Sequence, residues 1–462
     1  MGFISVTFMI EDFKDLEGFI LEKMSETKLP GLSIAIVEGD KTIYTRGFGF
    51  RDLSSGLPAT PRTLYGIGSV TKSFTALAIM QLVEEGKINL DDPVEKFVPI
   101  KLKPFGETVS IHNLLTHSLG VPALAYAEAF IRGVLGLDHF WLPVSSPEDI
   151  IAFMRNAEKW AVAKPGTDFF YLNEGYVLLG YIISKLSGVR YEEYIRKRIL
   201  APLKMSRTFF LRSDVENDQD RAAPYIIDKE GQHVASTFPF GITSDGGLIS
   251  NVIDLASYLK MHIDRGKFGE TEILSNEMLG LMEKTHIQLP YQIFGRESYG
   301  YGWMITPNFH GGRLVGHGGS VLVYTAYVGY MPEKKIGVAL LANASGYLLS
   351  HVGNYALSML LGIDPGRLPF IKSDRILRKL QGEYETYKGT MRASVKKKGD
   401  FLYMEIKDRY TEEILPLVPE KLEDGRAIFY TLSGGSKYTA DFKIEEDKIV
   451  LIYERYKLVK KV

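Results

Sequence analysis

The chain has 462 residues, 45% of them hydrophobic and 24% charged, with a formal net charge of −1. This length exceeds one ordinary domain, and the composition is that of a globular protein with a large buried core. A near-zero charge offers no field for nucleic acid or an anionic membrane, and the absence of cysteine excludes disulfides, zinc thiolates and a cysteine nucleophile.

Residues 1–10 are apolar but short, lack a basic start, and run into Glu11-Asp12 without a small-residue cleavage site. With no stretch of 18 apolar residues anywhere, the chain reads as cytoplasmic, with no membrane partner. Ile10, Phe13, Leu16, Ile20 and Met24 recur at helical spacing. Residues 32–37 and 42–50, joined across Gly39-Asp40, read as a hairpin. A buried helix is expected over residues 73–83, closing at Gly86. Residues 123–149 fit no motif and read as a helical lid over a cleft or as an insertion. Residues 324–330 and 336–343 form a second expected hairpin, and residues 346–361 a closing helix. Hairpins at both ends of a helical middle predict an α/β (α+β) fold, an antiparallel sheet flanked by helices.

Pro-Gly punctuation at Asp364-Pro365-Gly366 and Leu368-Pro369 marks a linker, residues 366–375, between a domain at 1–365 and another at 376–462. The second is a different kind of sequence. Eight short alternating runs, the first at 383–387 and the last at 456–459, are separated by turns such as Lys398-Gly399-Asp400 and Gly434-Gly435. They predict a small antiparallel β-barrel or sandwich, whose strand edges could join chains into a homo-oligomer.

The chemistry begins at Ser69-Val70-Thr71-Lys72. A serine hydroxyl is a poor nucleophile until a neighbour takes its proton, and a lysine three residues on stands one helical turn away on the same face. Tyr65-Gly66-Ile67-Gly68 before it reads as a strand end and turn, which sets Ser69 at a helix N-terminus whose free N–H groups can hold an oxyanion. The same spacing at Ser25/Lys28, Ser257/Lys260 and Ser394/Lys397 lacks that context and is better read as a solvated face.

Tyr171-Leu172-Asn173 follows a turn at Pro165-Gly166 and opens an apolar helix. An isolated tyrosine and asparagine in this pattern is usually a core ring beside a helix cap. Near an ammonium, however, the phenol would have a lowered pKa and could serve as base or relay, while Asn173 could hold an acyl group. His317-Gly318-Gly319-Ser320 leads directly into a strand-like run. Its glycines suggest an edge left bare for a substrate backbone. Other histidines in Gly-rich turns, such as His310, do not lead into such a strand.

In this order the three motifs resemble the serine β-lactamase and penicillin-binding-protein superfamily, in the branch with class C β-lactamases, D-alanyl-D-alanine carboxypeptidases, D-aminopeptidases, esterases and CubicO-type proteins. Pro30-Gly31-Leu32-Ser33-Ile34, Leu90-Asp91-Asp92-Pro93, the stretch from Thr108 to Pro122, Asp245-Gly246-Gly247 and Tyr299-Gly300-Tyr301-Gly302-Trp303 extend the likeness. It implies an acyl-enzyme with Ser69, Lys72, Tyr171 and His317 as catalytic groups. Asn173, Gly318, Gly319 and Ser320 would bind substrate, the Ser69 and Ser320 amides holding the oxyanion. The family usually carries Lys-Thr-Gly where this chain has His317-Gly318-Gly319. A histidine is a weaker anchor for a substrate carboxylate, which favours short peptides or amino-acid amides, including those with a D-residue, over β-lactams. An esterase, a weak β-lactamase or a catalytically silent binding protein stand as alternatives. Gly382-Glu383-Tyr384 resembles the opening of a lipocalin-like barrel. There is no Gly-x-Ser-x-Gly elbow, His-Glu-x-x-His pair, Walker loop or dinucleotide fingerprint, so no cofactor or metal is expected. His112 and His117 are expected in packing roles.

Overall fold

The computed structural model describes residues 13–137, 142, 144–241, 243–407 and 409–461. The first ten residues, on which the reading of the N-terminus rests, lie outside them. Among the described residues no helix is long and apolar enough to cross a membrane. The chain divides into two compact units, Met1–Gly362 and Ile363–Val462.

The first unit is built on a nine-stranded antiparallel sheet. Its spatial order is Ile287–Gln288, Ser298–Tyr299, Met304–Phe309, Gly312–Ser320, Thr325–Met331, Ile336–Ala342, Gly31–Glu38, Lys41–Asp52 and Leu57–Pro58. Both expected hairpins are present, and they meet where Leu32 pairs with Ala342 and Glu38 with Ile336. Every residue of Ile336–Ala342 is buried. A strand covered on both faces has no polar side to show, so its sequence is a continuous apolar run rather than an alternation. The helices Val252–Ile263 and Leu349–Leu360 pack on it.

The helix that follows Ser69, Thr71–Glu84, is buried from Thr71 through Leu82. Its polar side chains are therefore bonded internally. Thr75 Oγ1 donates to the Ser244 carbonyl at 2.6 Å, and Gln81 Nε2 to that of Ile273 at 2.8 Å. The helix Asn173–Ser187 lies against it and stops at Gly188, whose φ of 73° an L-side chain would resist. Residues 123–149 include the helices Tyr126–Val134 and, from a Ser146 capping box, Pro147–Phe153.

The second unit is a closed eight-stranded antiparallel barrel, from Gly382–Glu385 to Tyr456–Lys460. Closure comes from Tyr384 pairing with Lys460 and Glu385 with Val459. This corrects the expectation of exposed edges: a closed barrel has none. The alternation predicted from sequence fills its interior, with Leu402, Met404, Leu417, Phe429, Phe442 and Leu451 all fully buried. Residues 366–375, expected as a linker, instead hold the turn Pro365–Arg367 and the start of the helix Pro369–Leu380. Proline at the first helical position opens that helix rather than breaking the chain there. Ile376, Leu377 and Leu380 of the helix belong to the barrel core.

Candidate active site

The turn before Ser69 is fixed by two glycines. Tyr65 and Gly66 pair with Ser250 and Ile249, and Gly68 takes a φ of 51° before the helix begins. A Cβ on Gly68 would stand 2.7 Å from the Ser320 nitrogen, and one on Gly319 only 1.9 Å from the Ile67 carbonyl oxygen. Only glycine lets this strand and this turn touch. The strand Gly312–Ser320 loses its neighbour on one side after Gly316, which pairs with Met304. On its other side Gly318, Gly319 and Ser320 stay paired to Tyr327, Ala326 and Thr325. The bare segment is thus a gap within the sheet beside Ser69, not its outer edge.

Lys72 is completely buried. Its Nζ lies 3.1 Å from Ser69 Oγ, 2.8 Å from Asn173 Oδ1 and 2.7 Å from the main-chain oxygen of Asp245. Two of these partners can only accept. A neutral amine with two N–H bonds satisfies both and has its lone pair left for the Ser69 hydroxyl. Burial lowers the Lys72 pKa to about 8, opposed by the negative charges of Asp245, Glu128 and Glu174. Asn173 is the first residue of its helix, and its amide oxygen is occupied by the lysine rather than left free for substrate.

Tyr171 contradicts one expectation. Lys72 Nζ sits over the ring, 4.9 Å from its centroid. Burial dominates and drives the phenol far above its usual 10, with the Ser69 hydroxyl offsetting only part of the rise. Tyr171 therefore remains protonated, which suits a proton donor or relay and not a resting base. Its hydroxyl is buried without a completed hydrogen bond. The ring stacks on His117 at 4.2 Å, and His117 Nδ1 accepts the Leu172 N–H at 3.0 Å. His117 thus packs against the motif and pins its backbone. His112 bonds Tyr301 through Nδ1 at 2.9 Å.

His317 lines the cleft but hydrogen-bonds neither Ser69, Lys72 nor Tyr171, its ring standing 6.1 Å from that of Tyr171. Nδ1 faces the Gly318 carbonyl at 2.6 Å and must donate to it, so Nε2 accepts the Tyr299 hydroxyl at 2.9 Å. Burial lowers its pKa to about 4. A neutral ring with both nitrogens engaged has no charge for a carboxylate.

Ser69, Tyr171, Asn173 and His317, with the bare edge 318–320, surround one cleft of about 930 Å³. Ser320 is exposed on its rim, its Oγ 3.3 Å from that of Ser345. Glu128 and Asp245 also line the cleft. Sequence reasoning gave Asp245 no role because a backbone carbonyl leaves no residue-type signature. Among the described residues no three His, Cys, Asp or Glu side chains are grouped to hold a metal.

The beta-lactamase family profile matches residues 16–360. The chain belongs to the beta-lactamase family. The Pab87 octamerisation domain profile matches residues 365–459. The fold is similar to that of an octameric penicillin-binding protein homologue from Pyrococcus abyssi, 57% identical, with a TM-score of 0.93 over 97% of this chain and 100% of that one. A D-stereospecific amidohydrolase from Streptomyces sp. shares the fold, at 23% identity and a TM-score of 0.62 over 75% of this chain and 98% of that one. Protein flp of Staphylococcus aureus is 28% identical over 336 residues. That match takes in 71% of this chain, which spans only 63% of the length of Protein flp.

Proposed function

We propose that the protein is a serine hydrolase cleaving amide bonds of short peptides or amino-acid amides, including those with a D-residue at the scissile position, through a covalent acyl-enzyme. The observation that carries this is the hydrogen-bond set of Lys72, in which two acceptor-only partners leave the amine lone pair to Ser69. Ser69 Oγ attacks the carbonyl carbon as its proton passes to Lys72, and the C=O electron pair moves onto oxygen. The Ser69 and Ser320 amides hold that oxyanion. Collapse breaks the C–N bond, and the departing nitrogen takes a proton delivered through Tyr171. Water then attacks the ester, giving its proton to the same relay and restoring Ser69. The bare edge at Gly318-Gly319 suits an extended backbone added beside the strand. Neutral His317 supports a substrate without a carboxylate at that position.

A panel of D- and L-aminoacyl amides, short peptides, p-nitrophenyl esters and nitrocefin tests the substrate class. Turnover of amides or peptides is expected; fast nitrocefin turnover without them would overturn the peptidase reading, and esters alone would replace it with an esterase. A chain that no serine-reactive phosphonate labels is a silent binding protein.

We also infer a homo-oligomer assembled through the barrel, an octamer by likeness to the Pyrococcus abyssi protein. With no free edge to pair, we assign the contact to the outer face, where Phe401, Ile414 and Leu432 are exposed and Tyr403 lies beside Pro416. Ion pairs Lys396–Glu405 and Lys437–Glu420 lie on strands of the same face. Light scattering on the full chain is expected to give a mass of several protomers.

A further inference from the structure

The helix Tyr126–Val134 comes from the segment that no motif explained, yet its first residue reaches the Asp245 side chain and Glu174, the neighbour of Asn173. Tyr126 is 3% exposed. Its hydroxyl donates to Asp245 Oδ2 at 2.6 Å, and the main-chain oxygen of the same aspartate accepts from Lys72 at 2.7 Å. Its backbone N–H donates to Glu174 Oε1 at 3.3 Å. Glu174 follows Asn173, the other acceptor of Lys72, in the first turn of its helix. The hydrogen bonds close a loop from Lys72 through Asp245, Tyr126 and the Asn173-Glu174 step back to Lys72. Ala125 before it has a φ of 62°, in the left-handed region that non-glycine residues rarely take, so the chain accepts strain to deliver Tyr126 at this angle.

We propose that Tyr126 is a positioning residue for Lys72, coupling its own helix, which lines the cleft, to the activation of Ser69. The proposal rests on the reading of Ser69 as a lysine-activated nucleophile. Tyr126 is suited to it because burial and the adjacent Asp245 hold its phenol protonated, a permanent donor. Asp245 and Glu174 are themselves nearly buried carboxylates, raised by burial, Glu174 to about 7. The charged or titratable groups acting on Lys72 from the packed elements are Asp245, Glu128, Glu174, His117 and His317, with the Tyr171 and Tyr176 rings beside it. Removing the tyrosine hydroxyl leaves Asp245 less well held as a carboxylate. Less negative charge then faces the amine, which loses its proton at lower pH.

The test is the rate at which a fluorophosphonate labels full-length wild type, Tyr126→Phe and Asp245→Asn as a function of pH, with circular dichroism as the folding control. This probe needs no knowledge of the substrate. Wild-type labelling should rise with pH through about 8. Tyr126→Phe should lower the plateau rate roughly 10-fold or more, as misplacement of a reacting group does, and move the midpoint to lower pH. Asp245→Asn, which retains the main-chain carbonyl, should move the midpoint the same way and keeps the test alive if Tyr126→Phe does not fold. A lowered plateau with the wild-type midpoint in both variants would mean a merely structural tyrosine and would overturn the proposal. So would wild-type behaviour throughout. Failure of the wild type itself to be labelled would instead defeat the nucleophile reading beneath it.

Discussion

The cleft and the barrel are built on opposite rules. In the barrel, side chains alternate between a filled interior and an outer face, and nearly every buried group is apolar. In the cleft, a lysine, two carboxylates and several phenols are buried together, and all but the Tyr171 hydroxyl are held by a neighbour's hydrogen bond. Apolar packing is tolerant of a changed neighbour, whereas a buried polar network is only as good as its least satisfied member. The consequence is that single atoms decide function in the first unit, and single faces decide behaviour in the second.

The largest effect expected from this contrast is at the nucleophile. Ser69→Ala should lower turnover by roughly 10⁴-fold or more while leaving the melting curve unchanged, because groups acting as a unit fail together. Tyr171→Phe should cost roughly 10²–10⁴ in rate with the fold intact, and near-normal activity would remove the relay from the mechanism.

The glycines come next. Gly319→Ala puts a Cβ against the Ile67 carbonyl. The strand or the Ser69 turn must move, at a cost of about 1–3 kcal/mol in stability and up to roughly 10² in rate. Chemical denaturation and steady-state kinetics on the one variant read both, and a variant with normal kinetics would show that the close approach does not set the site. Activity should also depend on pH with a definite sign. Lys72 can serve as a base only when neutral, so the rate should be low below its pKa of about 8 and rise through it. A rate that falls as pH rises from 7 to 9 would exclude that role.

In the barrel the smallest effect on chemistry is expected. Ile414→Glu with Leu432→Glu should break the assembly, seen as a fall in mass by light scattering, and leave the labelling of Ser69 at its wild-type rate. An unchanged mass would clear this face of the contact.

Legibility in the sequence follows the same division. The eight barrel strands could be placed from alternation and turn residues alone, because each buried position repeats a simple pattern. Ser69 with Lys72, and Tyr171 with Asn173, could be paired because a short spacing on one helix or turn is visible in the chain. What stayed hidden depends on distance in sequence or on backbone. Asp245 acts through a carbonyl any residue possesses. Tyr126 lies 54 positions from Lys72 in a stretch without a motif. The direction of the Tyr171 shift depends on the depth of its burial, which no spacing reports, and burial outweighs the nearby ammonium. Residues 366–375 read as a linker for a related reason, since Pro369 is the same residue whether it ends a chain segment or starts a helix.

Activation of Ser69 by Lys72 is read from peptide mapping of the fluorophosphonate adduct in wild type and in Lys72→Met at pH 8.5. A single adduct on the peptide bearing Ser69 is expected in the wild type and none in the variant. An adduct on another serine, or one on Ser69 that forms equally fast without the lysine, would contradict it.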